Sequence, residues 1–172
     1  MAVMHLAQLN IAHMRAPQDS PEPAHIRAPK DSPELADFVA AIDPLNRLAD
    51  EAPGFVWRLA GPGPEDVAEH DYGDHLVINF SLWESRDALW DFVYRSAHLG
   101  VLQRRREWFL RSAEPYTVMW WVPEGYIPAL EEGMERLELL KAEGPTPRAF
   151  TFKDFYDSSE AAWRPAAAEA RK

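Results

Sequence analysis

His98 is the side chain in this sequence best placed to do chemistry. At helical spacing, positions 98, 101, 102, 105, 108 and 109 fall on one face. They hold His98, Val101, Leu102, Arg105, Trp108 and Phe109, an apolar stripe except for one imidazole and one guanidinium. At a helix start, the positive dipole end favours the neutral imidazole. A neutral imidazole can accept a proton or hydrogen-bond a substrate oxygen, so His98 is the catalytic candidate. The competing reading is a structural histidine that caps a chain break near Ser96.

Arg105 must either pair with an acid or reach into a pocket, because a buried unpaired charge is costly. Arg104 and Arg106 fall on the solvated side of the same helix. Among the tryptophans, Trp57, Trp108 and Trp120 join Asn10 and Arg105 as candidates for substrate binding. The plainer reading of the tryptophans is core and interface packing. Trp120 and Trp121 are neighbours in a strand pattern, so they must face opposite sides. Glu69, His70, Asp71, Asp74 and His75 are of metal-ligand type. They sit in a loop without defined ligand spacing, which reads as solvated, and no metal is expected. His13 and His25 occupy equivalent positions of a duplicated unit and are read as surface residues.

The elements that must position these groups follow from periodicity. HLAQLNIA (5–12) alternates as a strand: Leu6, Gln8, Asn10 and Ala12 share a mixed face, and His5, Ala7, Leu9 and Ile11 an apolar one. A mixed face inside a small protein suits a polar pocket. AHMRAPQDSPEP (12–23) is then repeated as AHIRAPKDSPEL (24–35), and the first copy reads as an extruded loop. Leu35, Phe38, Val39, Ile42, Leu45 and Leu48 predict a helix from Glu34 toward Glu51, kinked or restarted at Asp43-Pro44. FVWRLA (55–60) predicts a short strand, and HLVINFSLW (75–83) a longer one with Asn79, Ser81 and Trp83 on one face. Ser85 should cap a second helix that breaks around Ser96 to Gly100 and restarts. YTVMWWV (116–122) predicts a fourth strand, Leu130 to Ala142 a charged amphipathic helix, and RAFTF (148–152) a short added strand.

The order β, α, β, β, α, β plus an appended helix predicts an α+β, ferredoxin-like antiparallel four-stranded sheet with helices on one face. The bare face would need a cover, so a homodimer is expected. Residues 1–156 are read as one domain and 157–172 as a peripheral or disordered tail.

Composition narrows the function classes. With 47% hydrophobic residues, seven Trp and eight Phe in 172 residues, the chain can bury a full core. The absence of cysteine excludes disulfides, thiolate metal sites and a cysteine nucleophile. A net charge of −10 disfavours nucleic acid, which a single arginine triplet does not offset. Neither a signal peptide at Met1 to Asn10 nor an apolar run of membrane-spanning length is read, so a cytoplasmic protein is expected.

HLAQLNIA (5–12), SPELADFVAAIDPLNRLADEAPGFVWRL (32–59), LVINFSLWES (76–85), FVYRSAHLGVLQRRREWF (92–109), WWVPEGYIP (120–128) and GPTPRAFTF (144–152) resemble a bacterial family catalogued only as a domain of unknown function. That family is similar to the antibiotic-biosynthesis monooxygenases of the dimeric α/β-barrel superfamily. The resemblance implies a pocket between sheet and helices. Two departures stand out: the duplication at 12–35 looks like an insertion, and Tyr126 stands where the family often has His. Haem-degrading members use an Asn on the first strand, a Trp on the second helix and a His further along. Asn10 matches the first, but Phe92 replaces the Trp and His98 is offset, so haem degradation fits poorly.

The leading reading is therefore an enzyme, similar to cofactor-independent monooxygenases, acting on an apolar or aromatic molecule. The alternatives are a non-catalytic small-molecule-binding protein and, less well supported, a haem-binding one.

Overall fold

The computed structural model describes residues 2–13, 36–59, 76–109 and 113–163. The repeat beyond His13, the Gly61–Asp74 loop with its acidic and histidine cluster, and the last nine residues lie outside the described residues. Strand β1 (Met4–His13) is the centre of the molecule, hydrogen-bonded on both sides. It pairs antiparallel with β3 (Leu76–Trp83) and β4 (Thr117–Pro123), while β2 (Phe55–Arg58) borders β3. The order β2-β3-β1-β4 is that of a ferredoxin-like antiparallel sheet.

The register sorts the side chains. Asn10 stands opposite Asn79 and Thr117, and Gln8 opposite Ser81 and Met119. Leu9 stands opposite Phe80 and Val118, and Ala7 opposite Leu82 and Trp120. Directly opposed residues share a face, so one face is lined with amides and hydroxyls and the other is apolar.

Helices α1 (Ala36–Asp50), α2 (Arg86–Arg95), α3 (His98–Gln103) and α4 (Arg105–Trp108) lie over the polar face. Helix α2 starts where expected: the Ser85 side chain accepts from the Ala88 backbone N–H at 3.1 Å. Its Leu89 is buried, and Phe92 stacks on Trp83 with ring centroids 5.0 Å apart. Gly54 makes the turn into β2 at φ +80°, and a Cβ there would meet the Ala88 Cβ at 2.5 Å, so only glycine fits. Pro44 lies inside an uninterrupted α1, so the chain does not restart at Asp43. A proline removes one N–H donor, a loss that the packing of Ile42 against Ala12 and Phe109 helps to offset.

Helix α5 (Leu130–Glu143) is the appended helix, and it lies on the opposite, apolar face. Leu130, Leu137 and Leu140 join Leu9, Phe80, Val118 and Trp120 in one buried cluster. A Cβ on Gly133 would approach Leu9 Cδ2 to 3.2 Å, so the glycine lets the helix sit close to β1. Helices thus cover both faces: the two crossover regions hold the polar face, and α5 takes the apolar surface over β1 and β4. RAFTF contributes isolated bridges, Phe150 with Met119 and Ala149 with Thr146, rather than a strand; Phe150 is fully buried there. The chain beyond 156 is not all peripheral. A 3-10 turn (Ser158–Glu160) leads to Trp163, whose ring packs edge-on against Tyr126 at 5.0 Å. Among the described residues no helix is long and apolar enough to cross a membrane.

Candidate functional site

Between the polar face of the sheet and the helices above it lies a cavity of about 550 Å³. Its floor is Gln8, Asn10, Asn79, Ser81 and Thr117. Its roof is apolar: Ile42 and Leu45 from α1, Phe92 and Val93 from α2, Val101 and Leu102 from α3. A polar floor under an apolar roof is the usual make-up of a small-molecule site, in which a few polar groups fix orientation. The floor is cross-linked. Asn10 Nδ2 donates to Thr117 Oγ1 at 2.6 Å, and Gln8 Nε2 donates to both oxygens of Asn79 at 3.3 Å. These bonds hold the amides in place and leave the Asn10 Oδ1 carbonyl and the Asn79 amide N–H groups for a guest.

His98 lines this cavity at the start of α3. The break before it is closed by Ser96, whose Oγ accepts from the His98 backbone N–H at 3.2 Å and donates to the Phe92 carbonyl. The imidazole shares in closing this break, because its Nδ1 faces the Val93 carbonyl in the last turn of α2. The imidazole Nδ1 lies 3.3 Å from the Val93 carbonyl oxygen, and the ring packs against Phe92. A carbonyl can only accept, so Nδ1 carries the hydrogen and Nε2 carries the lone pair. Burial pushes the imidazole below its ordinary pKa; the bond to Val93 opposes this more weakly. The result is a neutral, oriented base.

Arg105 lies on the same wall. Its guanidinium stacks on the Tyr116 ring at 4.2 Å and the Phe109 ring at 5.6 Å. Burial lowers its pKa, and Tyr116 acts in the opposite direction. Arg58, also at the cavity, is committed to Asp50 through bonds of 2.7 and 3.1 Å.

Of the residues predicted from the sequence, the fold brings His98, Asn10 and Arg105 together around the cavity. The three tryptophans are placed elsewhere. Trp57 packs edge-on against Phe80 at 5.4 Å, on the apolar face. Trp120 is opposite Ala7 and so also points to the apolar face, where its Nε1 donates to Glu132 at 3.1 Å. Trp108 is buried with Ala12 and Phe109 beside the cavity, under the Arg104 guanidinium at 4.7 Å. The helix breaks at Arg104, so counting one continuous helix from 98 to 109 misplaces Trp108. Tyr126 donates to Glu132 Oε2 at 2.7 Å on the other face, away from the cavity. Burial first, and then the Glu132 carboxylate, push that phenol up to about 12.

Three cavity residues had no sequence signal of their own. Asn46 on α1 and Tyr116 before β4 are single polar positions without a period. Thr117 becomes a floor residue only through its pairing with Asn10. Among the described residues no cluster of three or more His, Asp or Glu could hold a metal.

The fold and cavity define an α+β pocket protein built on a ferredoxin-like sheet. The chain belongs to the family described as domain of unknown function DUF3291, whose pattern matches residues 22–166. No curated protein is matched. One solved structure is similar, that of NE2512, a protein of unknown function from Nitrosomonas europaea. It shares 14% identity over 75% of this chain and 99% of its own, with a TM-score of 0.42.

Proposed function

We propose that this protein is a small-molecule enzyme of the monooxygenase-like type, acting on an apolar or aromatic substrate held in the cavity. The observation that carries the proposal is His98: a neutral imidazole on the cavity wall, its Nδ1 hydrogen committed to Val93, with Nε2 left as a base. In this reading Nε2 takes a proton from an acidic C–H or O–H of the substrate. The amide and hydroxyl donors of the floor then hydrogen-bond the oxygen on which negative charge develops. The electron-rich anion so formed is the species that a cofactor-independent oxygenase lets react with dioxygen. The apolar roof keeps water from that anion. The same proposal includes a homodimer, with half-buried Val56 and Trp57 beside α5 as its contact. A monomer mass by light scattering removes that part.

The test is oxygen uptake by purified protein against a panel of enolisable aromatic ketones, phenols and quinols. Turnover is expected for members of the panel, and His98→Ala should lower it by about a hundredfold or more, the scale of a lost general base. Ligands that bind without turnover would make the protein a binding protein. A Soret band on titration with haem would favour the haem-binding reading. Absence of binding across the panel overturns the pocket reading itself.

A further inference from the structure

Arg105 is the partly buried arginine at this cavity that has no carboxylate among the described residues; Lys153, which also lines the cavity, is an exposed cation. Arg58 is held by Asp50 at 2.7 Å, and Arg104, one residue before, by Asp37 at 2.9 Å. The buried Arg136 is held by Glu132 at 3.4 Å. Among the described residues no acid pairs with Arg105, although it is only partly exposed. Two rings fix it in place, Tyr116 and Phe109. Such contacts orient a guanidinium and offset part of its desolvation, but they do not neutralise it. A desolvated, oriented, uncompensated guanidinium at a ligand cavity has the form of an anion receptor, and its planar fork matches a carboxylate.

We propose that Arg105 binds a carboxylate of the substrate, so that the substrate class is an aromatic or alicyclic carboxylic acid. The inference rests on reading the cavity as a small-molecule site. Its geometry also orients the substrate. Tyr116, under the guanidinium, leads directly into Thr117, which holds Asn10 at 2.6 Å. The carboxylate end therefore lies over the Asn10–Thr117 side of the floor. His98 starts α3 and Arg105 lies past the break at Arg104, both on the cavity wall, which leaves the ring system and its acidic proton to the imidazole's end of the cavity. One guanidinium suits a monoanion; a phosphate would call for further donors. The chain's net charge of −10 does not forbid an anionic ligand. Exposed charges beyond about 8 Å are screened at physiological ionic strength, so the nearest cation dominates.

The experiment is calorimetric titration with 2-naphthoate and with its neutral amide, 2-naphthamide. Wild type should bind the naphthoate roughly tenfold to a hundredfold more tightly, the range for one charge-assisted contact. Arg105→Gln should remove that preference while keeping the naphthamide affinity, and Arg104→Gln should keep the preference. Equal affinities in wild type, or a preference that survives Arg105→Gln, would overturn the carboxylate inference and leave the pocket reading intact. Failure of both probes to bind would overturn the two together. If Arg105→Gln does not fold, the wild-type Arg105 Nε–H resonance decides. It should shift on adding naphthoate and stay put with naphthamide; the reverse counts against the proposal.

Discussion

The two faces of the sheet treat polar groups in opposite ways. Under α5 the polar atoms are few and centre on one bonded cluster, although the buried Trp163 Nε1 on that face has no partner among the described residues. Glu132 accepts from Trp120, Tyr126 and Arg136 at 3.1, 2.7 and 3.4 Å, and Arg136 also donates to the Arg148 carbonyl at 3.1 Å. Across the sheet the polar atoms are many, only partly bonded to one another, and set against open space. Both arrangements cost desolvation, but only the first recovers it within the fold. The sealed face is therefore built for stability and the open face for a guest.

The sharpest way to break this contrast is to remove Glu132. Glu132→Ala would leave Arg136 buried without its carboxylate and strip two further donors of their acceptor. The expected loss is about 3–5 kcal/mol in urea unfolding, the scale of breaking a buried ion pair. Ligand affinity of the remaining folded protein should not change, because the cluster is on the far side of the sheet. A loss below about 1 kcal/mol would mean the α5 face is not sealed as described.

The matching change on the open face is Asn10→Ala. It removes one hydrogen bond, to Thr117, from a floor that is not sealed, so the stability cost should be about 1 kcal/mol. Its effect on naphthoate affinity should exceed its effect on folding, both measured on the same preparation. If Asn10→Ala instead destabilises as much as Glu132→Ala, the polar floor is a structural network and the distinction between the faces is lost.

Much of the open face was legible because strands report their faces with a period of two. Gln8, Asn10 and Ala12 on β1 and Asn79, Ser81 and Trp83 on β3 separate from their apolar neighbours by alternation alone. His98 and Arg105 share a stripe at helical spacing, which survives the break at Arg104, whereas Trp108 does not. Alternation says that Trp120 and Trp121 part ways, but not which one takes the side of the sheet that holds the pocket, and neither lines it; that depends on where the helices land. An amphipathic helix such as α5 shows that it has a buried side, not which face of the sheet it covers. In the sequence Glu132 and Arg136 are two among many charges of an amphipathic helix, with nothing to single them out. Their burial comes from Trp120 and Tyr126, outside the helix, which local periodicity cannot register.

The smallest expected effect is the pH dependence set by His98, and it tests whether the imidazole belongs to the open face at all. Burial holds its pKa in the folded protein below the ordinary value, which in the unfolded chain is about 6.5. Between those two values the unfolded chain binds the proton and the folded one does not, so stability rises with pH. The contribution is complete above about 6.5, is lost as pH falls through the folded-state value, and is constant below it. The quantity to measure is the difference between wild type and His98→Gln in urea midpoints from pH 5 to 8, which isolates this one imidazole. Wild type should lose stability relative to the variant as the solution is acidified. Turnover adds an independent reading, because a base must be unprotonated to act. The acidic limb of kcat/KM should lie below 6.5, at the folded-state pKa rather than the unfolded one. A difference curve that slopes the other way would mean the folded protein prefers the imidazolium. His98 would then be a cation beside Arg105, and the neutral base required at the open face would be missing.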